Sequence, residues 1–467
     1  MAESKLIRTL YDASPAFVQD VMTSLYGYRK NAFRYKHPKS KFWEDVYRDQ
    51  LAWTERQLRD YQWKECKKTL QHAYESVPFY RDRFRELGLT PDDINGVDDL
   101  RKLPYTTKDD LRQHGRQIIS EAFDATEITA HPTSGSTGQP LYLYSAREAI
   151  VRNHAVRWSQ CRPGLQRGMP SANFTGLEIV KPGQSRPPFW RTNHASRQRL
   201  YSVFHMSDQT LPHYVEDLNR FRPDWLYGYP SAIFTLAEFM ERTDRRLEKQ
   251  IKAVVTSSEE CLDQYRDVVE RVFNTTLWDE YGQAELGGLA FQCECGRLHE
   301  NISYSFIEFL PTGEQEDGLQ VSELICTSTI NPAWPLIRYR VGDTALIDPT
   351  ATCPAGKPGR IIQKMHGRTS QFLETRDGRR ISNISVMAKK CRHLKSCQAI
   401  QEKPGEMILR IVRDSQFVDA DAQHALAEFR KKLGDEDKMA IRIEYADQPL
   451  LTKSGKFLMI VSKVRVI

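Results

Sequence analysis

The run Thr133-Ser134-Gly135-Ser136-Thr137-Gly138 packs hydroxyls and glycines into six consecutive positions. Glycine lets a backbone come close to a ligand, and hydroxyls and amides donate to anionic oxygen, so the run suits a loop wrapped around polyphosphate. It is not a Walker loop, because Gln139 stands where a lysine would have to follow the second glycine. Taken alone, the same composition is that of a plain solvated loop. A second cluster, Cys293-Glu294-Cys295-Gly296-Arg297-Leu298-His299, places two thiols and an imidazole within seven positions. Such a knuckle offers three ligands to a tetrahedral zinc ion; the alternative is a pair of reduced cysteines in a loop beside a surface histidine.

The hydroxyl-rich run gains its meaning from the segments downstream of it. In order come Trp278-Asp279-Glu280-Tyr281-Gly282-Gln283-Ala284-Glu285, Tyr339-Arg340-Val341-Gly342-Asp343, Gly367-Arg368, and Leu451-Thr452-Lys453-Ser454-Gly455-Lys456. Each fragment has an ordinary reading as a turn, but this order resembles the adenylate-forming superfamily of acyl-CoA synthetases, peptide-synthetase adenylation domains and luciferases. Within it the chain is most similar to the phenylacetate:CoA ligase branch, including the capsule-biosynthesis adenylating proteins. That branch assignment rests on His72-Ala73 with Val77-Pro78-Phe79-Tyr80-Arg81, on Leu103-Pro104 with Lys108, and on the run from Arg222 through Trp225 and Tyr227 to Tyr229-Pro230-Ser231.

The resemblance implies ATP-dependent activation of a carboxylic acid, with an aryl acid one option, and it assigns roles. Joining a carboxylate to an α-phosphate brings two anions together, so the site must cancel charge at the transition state. Thr133, Ser134, Ser136 and Thr137, with Gly135 and Gly138, would hold the β- and γ-phosphates. Glu285 would bind magnesium, a hard cation that takes one or two carboxylates beside substrate phosphates. Tyr281, with Gly282, would stack near adenine, and Ser258 and Glu259, within Ser257-Ser258-Glu259, would line the adenine pocket; a helix cap beginning at Ser258 is the competing reading. Asp343 would accept from both ribose hydroxyls. Arg368 would reach the ribose and phosphate, and Lys456, on a separate mobile domain, would meet the reacting oxygens on closure. Relatives of this branch resemble the cysteine knuckle too, and Cys353 would complete a structural zinc set of Cys293, Cys295, His299 and Cys353.

The chain departs from the pattern in three places. Cys353-Pro354-Ala355 keeps one of the two thiols that the resemblance implies before Gly367-Arg368, Gln139 and Pro140 stand where a phosphate-facing lysine is common, and Thr369-Ser370-Gln371 replaces the acidic hinge. Coenzyme A is the acceptor that the resemblance implies; an amine, giving an amide in polysaccharide or natural-product biosynthesis, is the alternative acceptor, and a non-catalytic nucleotide-binding homologue is the alternative class.

These residues need a scaffold, and the rest of the sequence describes one. The 467 residues exceed one ordinary compact domain. An apolar share of 40% with 27% charged residues is globular, and a net charge of +6 spread over 67 basic and 61 acidic residues falls short of a nucleic-acid footprint. No apolar run approaches a membrane span, the N-terminus lacks the apolar core of a signal peptide, and nine cysteines without framework spacing indicate a reducing cytoplasm. Residues 1–100 read as a mainly helical lead-in, with Trp43, Tyr47, Leu51, Leu58 and Tyr61 at roughly helical spacing. From Ile128 to about Asp348, β-like runs alternate with helical ones: Trp225-Leu226-Tyr227 before Ser231 to Arg242, and Ala253 to Thr256 before Leu262 to Phe273. The expected fold is therefore α/β: a large N-terminal domain of layered sheets and helices over 1–367, with its site at strand ends, and a small mobile α+β domain over 368–467. Leu141-Tyr142-Leu143-Tyr144 reads as a strand, which puts the hydroxyl-rich run at a sheet edge or hairpin.

Overall fold

The structure is a computed structural model that describes residues 5–132, 141–162, 164–181, 183–368, 373–378, 380–381, 384, 387, 391–452, 455 and 457–464. Two compact units divide the chain, Met1–Val341 with Ala345–Lys364, and Gly342–Thr344 with Met365–Ile467. Among the described residues no helix is long and apolar enough to cross a membrane.

The first unit opens with α1 (Lys5–Ala13), α2 (Ala16–Tyr35), α3 (Ser40–Asp49), α4 (Glu55–Ser76) and α5 (Pro78–Glu86). The helical spacing over Trp43 to Tyr61 spans two helices: α3 gives way to a single 3-10 turn at Gln50–Ala52, and α4 restarts behind Thr54. The cause is local, since Thr54 and Gln57 form a capping box whose two side chains satisfy backbone donors that only a new helix start exposes. Leu51 accordingly points to solvent instead of joining Tyr47 and Leu58 in the core.

A short helix α6 (Lys108–Gln113) leads to the antiparallel pair β1 (Ile128–Pro132) and β2 (Tyr142–Ala146), then to α7 (Arg147–Gln160). The main sheet is built from β3 (Ser171–Phe174), β4 (Trp190–Asn193), β5 (Gln198–Tyr201), β6 (Trp225–Gly228), β7 (Ala253–Ser257), β8 (Leu277–Gly282), β9 (Leu289–Gln292), β10 (Leu298–Glu300), β11 (Ser305–Glu316), β12 (Leu319–Ser328), β13 (Tyr339–Ile347) and β14 (Ile361–Arg368). Its order is β11-β12-β13-β14-β10-β9-β8-β7-β6-β3-β5-β4. The centre, β3-β6-β7-β8, is parallel.

Helices α8 (Leu211–Phe221), α9 (Pro230–Arg242) and α10 (Asp263–Phe273) connect the parallel strands. Proline at the first position of α9 suits a turn whose N–H groups have no helical acceptor, and Asn274 ends α10 in the left-handed conformation that asparagine tolerates. Strand β7 is buried at all five residues, Ala-Val-Val-Thr-Ser, because both faces of the sheet are covered. Leu226, Val254, Ile233, Leu236, Val269 and Phe273 form part of that covering core. The alternation expected as far as Asp348 stops at β8, beyond which the sheet continues through antiparallel pairs with no intervening helix among the described residues.

In the second unit, β15 (Leu373–Glu374) and β16 (Arg380–Ile381) pair, and β17 (Leu394–Lys403), β18 (Glu406–Arg413), β19 (Ala440–Ala446) and β20 (Ile460–Ser462) form a sheet in the order β19-β18-β17-β20. Helix α11 (Asp419–Leu433) contributes Ala425, Phe429 and Leu433 to a core with Ala399, Leu409 and Ile411. The whole is the mixed α/β fold expected, with a separate sheet in the C-terminal unit.

Candidate functional site

Three of the sequence segments meet at one place, the carboxyl ends of the adjacent parallel strands β6, β7 and β8. Gly228 lies opposite Thr256, and Ser257 opposite Glu280, so Tyr229-Pro230-Ser231 and Ser258-Glu259 leave the sheet beside Tyr281-Gly282, the last residues of β8, which pair with β9. In open α/β sheets this is where ligands bind, because the strands end there and the connecting loops are free to carry polar groups.

Each exit is fixed by a particular contact. At β6, a Cβ on Gly228 would lie 2.4 Å from the Phe174 carbonyl oxygen of β3, so only glycine allows this close approach. At β7, Ser258 takes a φ of +75°, which turns the chain and brings Glu259 onto the start of α9. There the Glu259 carboxylate accepts from Ser231 Oγ at 2.7 Å and from Ser231 N at 3.3 Å, at the end of a helix where a negative charge is favoured. Ser258 does not cap a helix; α10 starts only at Asp263.

Strand β8 carries a buried charge cluster. Burial acts to raise the Glu280 pKa, but Arg162 and Arg157 outweigh it and hold the carboxyl below its usual range. Arg162 Nε donates to Glu280 at 2.8 Å, and Arg157 donates to the other oxygen. Next to it Asp279 is half-buried and accepts from Thr256 Oγ1 at 2.7 Å, and desolvation pushes its pKa up to about 6. A Cβ on Gly282 would sit 2.3 Å from Arg157 Nη2, which explains the glycine after Tyr281. Gln283 Nε2 donates to the Tyr281 hydroxyl at 2.5 Å, while its Oε1 is buried without a hydrogen-bond partner. Space for that fold-back exists because Gly287 lacks a side chain, whose Cβ would stand 2.7 Å from Gln283 Oε1. Glu285, on the same turn, is half-buried and has no hydrogen bond or ion pair among the described residues.

Trp225 is buried, its ring edge-on to Trp158, with the Arg162 guanidinium over both.

Asp343 lies in β13, half-buried, after Gly342 with a φ of +83°. The strand's first turn is anchored by Arg338, which makes a bidentate pair with Glu308, and by Arg340, bidentate to Glu323. Thr133 to Gly138 lie outside the described residues, but β1 and β2 on either side are paired from Ile128–Ala146 to Pro132–Tyr142, so the run joins the strands of a hairpin. The side chain of Arg368, at the end of β14, and Lys456 also lie outside. Around Lys456 the second unit builds a narrow hairpin: Leu451 bridges Phe457, and Gly455 N donates to Thr452 O at 2.8 Å with a φ of +71°. Buried Gln398 of β17 holds both arms, donating to Leu450 O at 2.9 Å and Leu458 O at 2.8 Å and accepting from Leu450 N at 2.7 Å. Nothing in the sequence around Gln398 signals that task, because its partners lie 52 and 60 residues away.

The cysteine cluster is brought together in part. Cys293, Cys295 and Cys353 place their sulfurs within 4.8 Å of one another, with Cys293 and Cys353 at 3.8 Å. Two matching turns create this arrangement: Gly296 N donates to Cys293 O and Gly356 N to Cys353 O, each at 2.9 Å, and both glycines have positive φ. His299 stands outside the sulfur cluster, its Nδ1 3.2 Å from the Gly359 carbonyl oxygen and its buried Nε2 without a partner. The expected four-ligand set is therefore present as three thiols, which suit a borderline-soft ion.

Residues 373–463 match the model of the CapK C-terminal domain. Protein CapK of Staphylococcus aureus is 25% identical over 383 residues, covering 82% of each chain. A phenylacetate-coenzyme A ligase of Pseudomonas putida is 29% identical over 326 residues, 68% of this chain and 72% of that one. The crystal structure of 2-hydroxyisobutyryl-CoA ligase in the postadenylation state, in complex with 2-HIB-AMP, superposes with a TM-score of 0.65 over 86% of this chain and 88% of that one, at 18% identity, and so shares the fold.

Proposed function

Since the chain belongs to the phenylacetate:CoA ligase-like branch of the adenylate-forming superfamily and is an acid-ligase-like enzyme, we propose that it activates a small carboxylic acid with ATP and transfers the acyl group to coenzyme A. The observation that carries this reading is the meeting of Tyr229-Pro230-Ser231, Ser258-Glu259 and Tyr281 to Glu285 at three adjacent parallel strand ends.

In the first half-reaction a carboxylate oxygen of the acid bonds to the α-phosphorus of ATP and the bond to pyrophosphate breaks. Tyr281, with its hydroxyl fixed by Gln283, offers its ring to the adenine beside the Ser258-Glu259 turn. Asp343 accepts from the ribose hydroxyls, and Arg368 would reach the ribose and phosphate. The hydroxyls of Thr133, Ser134, Ser136 and Thr137 hold the outgoing pyrophosphate, and Lys456 meets the negative charge that builds up at the reacting oxygens. Glu285 fits a magnesium site, as a half-buried carboxylate with no other partner among the described residues; magnesium there supplies charge neutralisation beside the phosphates. In the second half-reaction the coenzyme A sulfur bonds to the acyl carbon and AMP leaves.

The Cys293, Cys295 and Cys353 thiols fit a structural zinc ion, which would tie the β9–β10 turn to the loop before β14. His299 becomes the fourth ligand only if its ring moves toward the sulfurs.

ATP–pyrophosphate exchange over a panel of carboxylic acids tests the proposal. The expected result is exchange that depends on one class of acid and is largely abolished by Glu285→Gln, with that acid then driving loss of the coenzyme A free thiol. Exchange followed by amide formation with no thiol loss would replace the acceptor by an amine. Binding of ATP without exchange for any acid would make the protein a non-catalytic homologue.

A further inference from the structure

Helix α2 lies on the first unit the wrong way round for a surface helix. Its buried residues are Gln19, Ser24 and Gly27, whereas Phe17, Val21, Leu25 and Tyr28 are 70%, 55%, 64% and 63% exposed. A surface helix ordinarily shows the reverse, with an apolar stripe inward and polar residues outward. The orientation is firmly set. Arg191 donates to Gln19, Thr192 N donates to Asp20 Oδ1 at 2.8 Å, His194 N donates to Ser24 Oγ at 3.0 Å, and Asn31 donates to Ala195 O at 3.0 Å and to Ser196 Oγ at 2.9 Å. Gly27 closes the contact, since a Cβ there would lie 2.2 Å from Asn193 Oδ1. Rolling the helix to bury its apolar row would break all of these, so the row faces outward by construction.

The preceding helix exposes apolar residues as well. Leu6, Ile7 and Leu10 of α1 are also exposed, while Arg8 and Tyr11 of the same helix donate to the carbonyls of Glu178 and Ile179 and fix it to the body. At roughly 150–200 Å² for a large apolar side chain, the α2 row leaves about 450 Å² open and the α1 residues about 300 Å² more. A monomer's largest apolar patch is commonly about 300–600 Å², and a standard stable interface takes about 800 Å² from each partner.

We infer that this face pairs with the same face of a second copy of the chain, the two α2 helices running antiparallel across a two-fold axis. The row is spaced for it. The steps 17, 21, 25 and 28 follow a helical stripe, and reversing one copy about a point near residue 23 sets Phe17 against Tyr28 and Val21 against Leu25. Arg29, the exposed charge beside the row, then meets the partner's Phe17 ring and not its own copy, a cation–π contact in place of a like-charge clash. A lipid surface is less well matched, because a membrane-lying helix needs a basic fringe and the two other basic residues of α2, Lys30 and Arg34, are half-buried.

Sedimentation equilibrium of the full chain over a hundredfold concentration range, flanked by Leu25→Glu and Phe17→Ala, tests this. The parent should approach twice 54.1 kDa. Leu25→Glu places two carboxylates near the axis and should weaken association on the order of 100-fold or more, and Phe17→Ala should weaken it less, roughly 10-fold. Because both residues are exposed in the single copy, neither variant should lower Tm under conditions where the parent is monomeric. Oxidation of Met22→Cys, next to the axis, should yield a cross-linked pair above the background that exposed Cys295 gives in the parent. A parent that stays at 54.1 kDa throughout, or a dimer that Leu25→Glu leaves intact, overturns the proposal. A monomer that co-sediments with anionic phosphatidylserine vesicles, and loses this with Leu25→Glu, overturns it in favour of a membrane surface.

Discussion

Asp279→Asn tests how the strand end beneath the site is held. Asp279 is half-buried beside Glu280, and desolvation raises its pKa more than the Thr256 hydroxyl and Arg266 lower it, from 3.8 to about 6. That rise is worth about 3 kcal/mol. A carboxyl that binds its proton more tightly folded than unfolded contributes stability fully below the unfolded pKa and loses it as pH rises through the folded one. Asparagine keeps a carbonyl oxygen for Thr256 and cannot ionise, so it removes the penalty without emptying the site. The variant should therefore resemble its parent near pH 3.8 and become more stable above it, by about 3 kcal/mol at pH 7.5, with about 2 kcal/mol of that gain between pH 4.5 and 7.5. Urea unfolding followed by tryptophan fluorescence, at several pH values and with the first unit's transition fitted separately, gives the difference directly. A gap that is independent of pH, or that narrows toward neutrality, would mean that burial does not control this carboxyl.

Further predictions bear on the site. Gly228→Ala must move β6 away from β3 by about 1 Å, which should cost about 1–3 kcal/mol in stability and raise KM for the acid, as seen in pyrophosphate exchange against thermal unfolding; an unshifted Tm with normal KM would show that the strands yield freely. Lys456→Ala should lower acyl-adenylate formation about 100-fold or more with ATP binding nearly intact, and Gln398→Leu should reproduce part of that loss through the hairpin it clamps, both read by exchange beside ATP calorimetry. Normal exchange in Lys456→Ala removes that residue from the chemistry. Protein never exposed to chelator should carry about one zinc equivalent, released by Cys353→Ser with a loss of stability, and elemental analysis finding no metal would leave the three sulfurs as reduced thiols.

The sequence is legible where its signals are local. Strands β6 and β7 and helices α9 and α10 lie within a residue or so of where the sequence places them, because an apolar run followed by a periodic segment with Pro230 and a closing Asn274 is a local signal. The break before Thr54 escapes such a reading because Leu51 keeps the helical rhythm while the capping box interrupts it. The antiparallel continuation beyond β8, the outward row of α2 and the position of His299 depend on partners far along the chain.

The same division runs through the site itself. The motif residues Tyr281, Gly282 and Glu285 stand out in the sequence, but what holds them does not: Gln283 restrains the Tyr281 hydroxyl, and Glu280 is balanced by Arg157 and Arg162, which are 123 and 118 residues away. Gly282 is where the two sets meet. Read locally it is a turn residue, yet the structure gives it a different reason, since any Cβ would displace the Arg157 guanidinium and with it half of the charge that keeps Glu280 ionised in the core. Losing that partner would leave a buried carboxylate under-compensated directly beneath the ring proposed to meet adenine, at a cost of a few kcal/mol. The glycine of the motif thus answers to a charge pair behind the sheet as much as to the ligand in front of it, and a substitution there would be felt first as lost stability of β8 and only then as lost nucleotide binding.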